Sequence, residues 1–599
     1  MKTKHQSTSI VFDIETDGLL LDVSKFHVGW TYCLESKKYE KFLDVNEMVT
    51  YLNTATKLIG HNIIGYDIPA LNKIARCKVR NDIDLVDTLI LSRLAYYDAD
   101  LSYSHSLRAY GDRLGFPKGD HSDWTKYSPE MDAYCKQDVD VTTKVYQHLM
   151  RKTVKWLPEK ALDIEQQVQA IISQQHINGW MFDVKAAQAL HVELLNSMEE
   201  AEKALHEVFK PIKSFVAKKY PASAYKKDGT KSHVLLRQEA MGCDVHEIDG
   251  KPQWGYYEDL VFNPGSGQHI ARFIEHYFGK QKWEMTDKGT PKTDARSLKR
   301  MFKDEDFAKP LLHYQEVKKL LGQLAEGDNA WLKQVRDNGR IHGGANILGA
   351  VTGRFTHSKP NMAQVPSVKA YKGMESRSLF KVPHGYKLVG CDASGLELRT
   401  LSHYLAKHDG GEYGKKLIEE DIHSANQAAA GLPTRDNAKT FIYGFLYGAG
   451  DAKIGEIVKG SSADGKRLKQ QFLAKTKGLD KLVKGVQQAA KRGYLIGVTG
   501  RRLYVRSPHA ALNTLLQSAG AYIMKYYLVE LNKRLTERNL DFAFVGNIHD
   551  EVQIQVKEEH ADEVASIAEA CFPIVEMQLG WRCRLDGEAK IGNNWADTH

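Results

Sequence analysis

The sequence contains few of the features that mark zinc-binding, secreted or membrane-inserted proteins. Its seven cysteines show no CxxC or Cys/His spacing, so a zinc module is not expected and reduced thiols in a cytosol-like compartment are predicted. The N-terminus lacks the apolar core of a signal peptide, no uninterrupted apolar run reaches membrane-spanning length, and no repeat or low-complexity tract is present. These absences predict a soluble protein of the cytoplasm.

The sequence also lacks a strong excess of either charge. Lys and Arg total 83 against 75 for Asp and Glu, and the net charge of +8 is mild for a protein that binds nucleic acid. Charged residues make up 26% and hydrophobic residues 42% of the 599 positions, which predicts a globular protein of three or four packed units. Nucleic-acid binding is compatible with this balance if acidic clusters hold metal ions while basic groups line a groove.

Two acidic segments, far apart in the second half of the chain, indicate a metal site. Asp392 ends the apolar run 388–391, as a carboxylate at the end of a buried strand would. Asp550 and Glu551 precede the alternating strand 552–556, and alternation would place the two acids on opposite faces. Only one can then share a metal with Asp392, and we predict Asp550, with Glu551 as an outer or structural group of the catalytic site. Paired cations about 3.5–4 Å apart suit in-line phosphoryl transfer.

Three ordered segments resemble motifs A, B and C of the family A, DNA polymerase I-like, DNA polymerases. They are DASGLELR at 392–399, RDNAKTFIYGFLYG at 435–448 and IHDE at 548–551. The resemblance is to the replicative branch of short-tailed bacteriophages. It implies an α/β (α+β) multidomain fold, with a ribonuclease H-like exonuclease domain and a right-hand polymerase domain of palm, fingers and thumb. The implied activity is template-directed DNA synthesis with 3′–5′ proofreading, and the implied cofactor is Mg²⁺, two ions at each site, with Mn²⁺ as a substitute.

Four acids and a tyrosine in the N-terminal part form a second candidate site. Asp13 and Glu15 lie two apart on a predicted strand and share a face, Asp67 lies at a predicted helix start, and Tyr134 and Asp138 share a helix face. Four carboxylates in one pocket repel one another unless cations neutralise them. The set resembles the acidic 3′–5′ exonucleases that carry a tyrosine. The resemblance implies two metals on the four carboxylates and a water molecule oriented by Tyr134.

A helix that starts at Thr434 carries a stripe of candidate nucleotide-binding residues. Arg435, Lys439 and Tyr443 recur at four-residue spacing, with Tyr447 at the edge of the stripe. Two cations one turn apart suit a triphosphate, and a tyrosine one turn further suits the sugar or base. Tyr447 is assigned to the DNA-binding residues.

Further nucleotide and metal contacts rest on the resemblance alone. It implies that His423 contacts phosphate and that the Ala393 carbonyl joins Asp392 and Asp550 as a metal ligand. It also implies that Glu397 is the sugar gate, since a carboxylate beneath the ribose leaves no room for a 2′-hydroxyl.

Donors for the minor groove of the primer-template are expected from two segments, the first of which, 352–366, resembles the family segment that follows the primer-template. Arg354, and Asn513 with Gln517 four residues apart on a later helix, are predicted to contact the acceptors that every correct base pair presents there. His549 is predicted at the primer end. The basic residues just before that helix are interpreted as phosphate contacts or as a solvated turn; they are Arg501, Arg502 and Arg506.

The predicted domains follow the resemblance. They are the exonuclease (1–155), the thumb (156–345) with an insertion at about 209–260, the first part of the palm (346–415), the fingers (416–507) and the second part of the palm (508–599). The basic insertion is interpreted as a duplex contact, as a dock for a host processivity factor such as thioredoxin, or as a surface loop. A phage helicase-primase is a further partner of what is expected to be a monomeric catalytic chain.

Other functions remain open at this point. A single-subunit RNA polymerase shares the right-hand architecture, but Glu397 and the exonuclease acids argue against it. A repair polymerase of the same family is a second alternative. A non-catalytic scaffold is a third, and the presence of both Asp392 and Asp550 argues against it.

Overall fold

The computed structural model describes residues 8–98, 103–117 and 119–599. The chain folds into two compact units, one formed by residues 184–333 and the other by the segments on either side of them. Within the described residues, no helix is both long enough and apolar enough to cross a membrane.

The N-terminal part of the larger unit is a five-stranded sheet in the order β3-β2-β1-β4-β5. Strand β1 is antiparallel to β2 and parallel to β4. It is apolar on both faces because helices cover both: Phe12 packs on the side of α1 and α2, and Val11 packs on the side of α3 and α5. The elements are β1 (Ser9–Thr16), β2 (Phe26–Cys33), β3 (Tyr39–Phe42), α1 (Val45–Leu52), β4 (Lys57–Gly60), α2 (Asp67–Ile74), β5 (Asp84–Asp87), α3 (Thr88–Ala95), α4 (Leu107–Arg113) and α5 (Pro129–Thr153).

A long helix joins this sheet to the C-terminal part of the same unit. Helix α6 (Glu159–Asn178) buries Ile164, Val168 and Ile172 in one apolar core with residues of both parts. The helix ends at Gly179, whose positive φ of 61° suits glycine. The strand β6 (Trp180–Phe182) follows.

The smaller unit, residues 184–333, combines helices with a three-stranded sheet. Its apolar core combines helical residues such as Phe273 and Leu311 with residues of the intervening segments such as Phe209. The predicted insertion at 209–260 contains the antiparallel sheet β7-β9-β8, so the surface-loop alternative is wrong. The elements are α7 (Val184–Val208), β7 (Ile212–Ala217), α8 (His233–Ala240), β8 (Asp244–Ile248), β9 (Lys251–Leu260), α9 (Gly267–Phe278), α10 (Ala295–Phe302), α11 (Ala308–Leu321) and α12 (Trp331–Gln334).

An antiparallel sheet in the order β17-β18-β14-β19 forms the centre of the C-terminal part. Cys391 of β14 and Val552 of β18 are cross-strand partners, and both are buried in one core with Tyr527 and Phe572 from the two helices behind the sheet. The strands and helices are β14 (Tyr386–Ala393), α21 (Ala511–Glu537), β17 (Phe542–Ile548), β18 (Glu551–Lys557), α22 (Ala561–Leu579) and β19 (Gly587–Gly592).

A helical subdomain with its own apolar core is inserted between β14 and α21. The predicted helix start at Thr434 is confirmed, because the Thr434 hydroxyl accepts the Asn437 amide at 3.1 Å and caps the helix that begins at residue 435. The remaining elements of the unit are β10 (Arg340–Ile341), β11 (Gly344–Asn346), β12 (Thr356–Ser358), α13 (Gly373–Ser378), β13 (Phe380–Lys381), α14 (Leu396–Asp409), α15 (Glu412–Glu419), α16 (Ile422–Ala430), α17 (Arg435–Leu446), α18 (Asp451–Glu456), α19 (Ser462–Lys475), α20 (Leu479–Ala490), β15 (Tyr494–Ile496) and β16 (Arg502–Tyr504).

Candidate active sites

The fold brings the two separated acidic segments of the C-terminal part together. Strand β14 ends at Ala393, whose amide donates to the Asp550 carbonyl at 3.0 Å, and Asp392 is the cross-strand partner of Glu551. Asp550 lies in the turn between β17 and β18, where His549 adopts a left-handed φ of 61°. Residues more than 150 positions apart in the sequence thus form one acidic site.

The electrostatics of this site favour a bound cation. The Asp392 side chain stays accessible to solvent, yet partial burial, followed by the charges of Asp550 and Glu551, raises its pKa to about 7. Burial, followed by the charge of Glu397, also raises the pKa of Asp550. Carboxylates that oppose one another's ionisation offer oxygen ligands of the kind that hard divalent ions prefer. The donor set therefore fits Mg²⁺ or Mn²⁺.

Glu551 occupies a different environment from its neighbour. It is 6% exposed, accepts from the indole of Trp595 at 2.6 Å and from the amide of Gln553, and lies 3.1 Å from His599 Nε2. These contacts agree with the predicted outer or structural role. The alternation argument used to reach that role is wrong, because β18 begins at Glu551 and the register places this residue, not Asp550, directly opposite Asp392.

Three residues predicted for separate roles meet at one carboxylate. The Tyr447 hydroxyl donates to Glu397 Oε1 at 2.8 Å, and Arg354 Nη2 lies 3.4 Å from the same oxygen. Glu397 belongs to the first turn of α14, directly after the Asp392 segment. The candidate sugar gate is therefore held by two of the candidate DNA-binding side chains.

The predicted stripe on α17 is present, and its first member already has a partner. Arg435 and Lys439 are exposed and Tyr443 is half-buried, with its ring 6.5 Å from that of His423. Arg435 donates from Nε and Nη2 to the two carboxylate oxygens of Asp421 at 2.7 and 3.1 Å. The sequence did not predict this contact, since nothing local pairs two exposed residues of opposite charge in different helices.

Two of the candidate minor-groove residues lie on α21, whereas Arg354 lies between β11 and β12 and the candidate primer-end residue His549 lies in the turn after β17. Asn513 and Gln517 are half-buried on the same helix, and the Asn513 amide donates to the Leu446 carbonyl at the end of α17 at 2.9 Å. His549 and Arg354 line one small cavity of about 20 Å³. Burial, followed by the positive charge of Arg354, lowers the pKa of His549.

The structure separates the three arginines at 501, 502 and 506. Arg501 is 5% exposed and donates to the Tyr522 hydroxyl and to the Val351 carbonyl, each at 2.8 Å. Both the phosphate-contact and the solvated-turn interpretations are wrong for Arg501, because its guanidinium is buried in the protein. Arg502 is half-buried, with its guanidinium 4.5 Å from the centroid of the Trp156 ring, and Arg506 is exposed.

The second acidic site is a cavity of about 560 Å³ in the N-terminal part. All five predicted residues line it, and Glu15, Asp67 and Asp138 are buried. Asp13 and Glu15 come from the central strand β1, Asp67 starts α2, and α5 supplies Tyr134 and Asp138. The sequence prediction that these residues come together is confirmed by their common cavity.

The carboxylates of this cavity also suit a cation. Burial, followed by the nearby charges of Asp87 and Asp138, raises the pKa of Asp67 to about 7. Ligand atoms of Asp13, Glu15 and Cys135 lie within 4.8 Å of one another. The Cys135 thiol contacts the Asp13 carbonyl at 3.4 Å, and burial followed by the charge of Asp13 raises its pKa well above the usual value. The oxygen donors of Asp13 and Glu15 therefore fit a hard cation, with Cys135 beside them as a neutral thiol.

Sequence reasoning did not assign several residues that line this cavity. Trp124 packs edge-on against Tyr134 with ring centroids 5.7 Å apart, and the cavity is also lined by His61, Arg93 and His105. His61 directly follows Gly60, the end of the parallel strand β4, and the carboxyl ends of parallel strands are where ligands bind in such sheets. This position after a strand could have predicted His61 as a residue of the site. No sequence feature indicated that Trp124 or Arg93 would line the cavity.

The chain is similar to known polymerases over nearly all of its length. The model of a family described as DNA polymerase family A matches residues 244–597. The DNA-directed DNA polymerase of Enterobacteria phage T3 is 35% identical over 705 residues, covering 98% of this chain and 100% of the relative. The DNA-directed DNA polymerase of Escherichia phage T7 is 35% identical over 706 residues with the same coverage.

A solved structure shares the fold at low sequence identity. The polymerase domain of Pol1 from M. smegmatis, in complex with a DNA primer-template and dNTP, superposes with a TM-score of 0.77 at 19% identity. The match covers 100% of this chain and 97% of that chain. The resemblance supports the predicted right-hand fold for the C-terminal part.

Proposed function

Since the chain belongs to DNA polymerase family A and is a DNA-directed DNA polymerase, we propose that its two acidic sites are the polymerising site and a 3′–5′ proofreading site. The observation that carries this assignment is the junction of β14 and β18. There the fold brings Asp392 and Asp550 together. Burial raises the pKa of both, with a further rise at Asp392 from the charge of Asp550 and at Asp550 from the charge of Glu397. Phage DNA is the proposed template, and the host bacterial cytoplasm is the proposed compartment.

Asp392 and Asp550, with the Ala393 carbonyl, hold the divalent ions of the polymerising site in this proposal. Family A polymerases use divalent metals, and we propose two Mg²⁺ at each site, with Mn²⁺ able to substitute. When bound, the ions lower the pKa of the attacking hydroxyl and stabilise the leaving oxygen. Glu551 keeps the turn in place through Trp595 and Gln553.

The incoming nucleotide binds along α17 in this proposal. Arg435, Lys439 and His423 neutralise the triphosphate, and Tyr443 faces its sugar or base. Glu397 excludes a 2′-hydroxyl because its carboxylate occupies the space that the group would need, and Tyr447 and Arg354 fix the orientation of that carboxylate. Deoxynucleotides are therefore the proposed substrates.

The primer-template is contacted by side chains that surround the acidic turn. Arg354, Asn513 and Gln517 donate to minor-groove acceptors, His549 contacts the primer end, and Tyr447 contacts DNA. Asn513 donates to the end of α17 in this structure. Its release would accompany the closure of α17 over a correct base pair, which is selection by induced fit.

In the second site Asp13, Glu15, Asp67 and Asp138 hold the divalent ions of a 3′–5′ exonuclease. The Tyr134 hydroxyl orients the attacking water molecule. The cavity of about 560 Å³ is large enough for a terminal nucleotide.

Primer extension tests both assignments in one experiment. A labelled primer-template is incubated with Mg²⁺ and the four dNTPs, with dNTPs omitted, and with NTPs in their place. We expect full extension only with dNTPs, and shortening of the primer when nucleotides are omitted. Asp392→Ala should reduce extension about a thousandfold or more, because several kcal/mol of transition-state stabilisation are lost.

The exonuclease variant provides the matched control. Asp13→Ala with Glu15→Ala should abolish shortening while the Asp392→Ala enzyme still shortens the primer. Unchanged degradation in the double variant would contradict the exonuclease assignment, and extension by Asp392→Ala at the normal rate would contradict the polymerase assignment. Efficient use of NTPs would contradict the role of Glu397.

The domain assignment also belongs to this proposal: exonuclease 1–155, thumb 156–345, palm 346–415 and 508–599, and fingers 416–507. The compact unit at 184–333 lies inside the proposed thumb.

The sheet β7-β9-β8 of this unit is the proposed dock for a host processivity factor such as thioredoxin. A phage helicase-primase is a further proposed partner of the chain, which is proposed to be monomeric. Two results together would contradict the docking proposal. Thioredoxin would fail to form a complex with the chain in a pull-down, and its addition would fail to lengthen the products of primer extension.

A further inference from the structure

A group of charged side chains is buried behind the polymerising site, outside the residues that the mechanism uses. Glu165 of α6 and Lys525 and Tyr522 of α21 are at most 1% exposed, and Arg501 is 5% exposed. Lys525 Nζ donates to Glu165 Oε2 at 2.6 Å, the Tyr522 hydroxyl donates to Glu165 Oε1, and Arg501 lies 3.8 Å from that oxygen. One carboxylate therefore holds two cations and a hydroxyl in the interior.

Both cations of this buried group also bind the backbone of one loop. Lys525 Nζ donates to the Ile347 carbonyl at 2.9 Å, and Arg501 Nη2 donates to the Val351 carbonyl at 2.8 Å. The loop is further closed by the Gly353 amide, which donates to the Ala350 carbonyl at 2.9 Å. The segment that leads to Arg354 is thus held at two backbone carbonyls by the buried cations.

Close packing of the loop onto the buried group requires glycine at 353. Gly353 has a φ of 84°, and a Cβ there would lie 3.1 Å from Tyr522 Cε2 and 3.4 Å from Arg501 Nη1. The next residue is Arg354, whose guanidinium reaches Glu397 at 3.4 Å and lines a cavity with His549. A chain of contacts therefore runs from the interior to the sugar gate and the primer end.

Stability alone does not account for a buried group of this kind. Removing one carboxylate and two cations from water carries a large desolvation penalty, and apolar residues of similar volume often give equal or greater stability. A fixed arrangement of donors has another use, because it holds a loop in one conformation. The loop held here is the one that carries Arg354.

We propose that Glu165 is a positioning residue for DNA synthesis: through Lys525 and Arg501 it fixes the loop at 347–354, which presents Arg354 to Glu397 and to the primer end. Glu165 itself touches neither substrate nor metal. The inference rests on the proposed contact of Arg354 with the terminal base pair. It extends the polymerising site to α6, a helix that lies before the proposed palm and fingers in the sequence.

Steady-state incorporation of one dNTP provides the test, on a primer whose last linkage is a phosphorothioate that resists proofreading. Glu165→Gln should lower kcat/KM between about tenfold and a hundredfold, since small displacements of a positioning group have effects of this size. Glu165→Gln should also lower the ratio of kcat/KM for a matched dNTP to kcat/KM for a mismatched dNTP. A general loss of stability would leave this ratio unchanged. Glu530→Gln is the matched control, because Glu530 is a buried carboxylate of α21 that binds Arg534 and Gln578 instead of the loop.

A double-mutant cycle with Arg354→Ala decides the mechanism. If Glu165 acts through Arg354, adding Glu165→Gln to Arg354→Ala should cause no further loss. Additive losses would overturn this inference alone, whereas a normal kcat/KM for Arg354→Ala would overturn both it and the proposed role of Arg354. Tyr522→Phe removes one hydrogen bond to Glu165 and serves if Glu165→Gln does not fold. Tyr522→Phe should lower kcat/KM less than Glu165→Gln does, and it should cause no further loss when added to Arg354→Ala. An additive loss would again overturn the inference.

Discussion

At the scale of single residues, adjacent carboxylates at 550 and 551 differ in what surrounds them. Burial raises the pKa of both, but Asp550 lies in the turn between β17 and β18, whereas Glu551 accepts hydrogen bonds from Trp595 and Gln553. We predict that Asp550→Asn lowers kcat about a thousandfold or more, and that Glu551→Gln lowers it only about tenfold, because the amide keeps part of the hydrogen bonding. Single-turnover extension measures both, with circular dichroism as the control for folding. Equal losses would contradict the assignment of separate roles.

Asp67 gives a prediction about pH. Its pKa is raised to about 7 in the folded protein, from an ordinary value of 3.8. Between these pH values the folded state therefore binds more protons than the unfolded state. The contribution of Asp67 to the free energy of unfolding is fully present below about pH 4 and is lost as the pH rises to 7. In EDTA the wild type should be less stable at pH 8 than at pH 5, and Asp67→Asn should remove roughly 2 kcal/mol of that difference.

Thermal melts at the two pH values, with and without Mg²⁺, measure this effect. Mg²⁺ should stabilise the wild type more at pH 8 than at pH 5, because protons compete with the ion for the carboxylates. Asp84→Asn is a suitable control, since Asp84 is exposed and pairs with Lys57 at the surface. The same pH dependence in Asp67→Asn as in the wild type would contradict the prediction.

At the scale of elements, the relation between α16 and α17 bears on nucleotide binding. Asp421 caps α16 and accepts from Nε and Nη2 of Arg435, so the triphosphate proposed to bind Arg435 would compete with this carboxylate. We predict that Asp421→Asn lowers the KM for dNTP about two- to fivefold, since the ion pair is exposed and screened by solvent, and asparagine keeps the cap. Steady-state kinetics measure the change. Asp436→Asn, beside Arg435 on α17, should leave KM unchanged, and a higher KM for Asp421→Asn would be the opposite of what we expect.

The elements also show what local sequence signals can and cannot predict. Strand β1 with its two acids, the cap at Thr434 and the strand that ends at Asp392 were predictable, because alternation, capping and apolar runs act over a few residues. The pairing of Glu165 with Lys525 was not, since 360 positions separate them and no local pattern indicates a partner at that distance. Arg501 was misinterpreted for the same reason: a basic turn has the same local sequence whether it is solvated or buried.

The four acids of the proposed exonuclease site were predictable as a group, but their shared cavity depends on packing. Motif spacing placed Asp13, Glu15 and Asp138 on the correct elements. Trp124 joined the cavity lining, and Cys135 came to lie beside Asp13 and Glu15, only through the packing of α5 and its preceding segment on the sheet. The sequence therefore predicted the acidic residues of the cavity better than the other residues that line it.

At the scale of the whole molecule, the N-terminal sheet and the C-terminal part form one compact unit. Helix α6 contributes to the core of both, and an aromatic contact adds a second link. Arg502 of β16 stacks 4.5 Å from the ring of Trp156 and 4.6 Å from that of Tyr494, and Tyr97 packs edge-on against both rings. Two of these residues come from the N-terminal part and two from the hairpin β15–β16, so this group couples the two parts.

Removal of that arginine should weaken the coupling. We predict that Arg502→Ala destabilises the larger unit by about 1–2 kcal/mol, because a half-buried cation–π stack and its aliphatic packing are lost together. Differential scanning calorimetry should then show the N-terminal part unfolding at a lower temperature than the rest, as a separate shoulder. Arg506→Ala, four residues away and exposed, should change stability by no more than about 0.5 kcal/mol. If the two variants melt alike, the stack does not couple the parts, and the shared core along α6 alone holds them together.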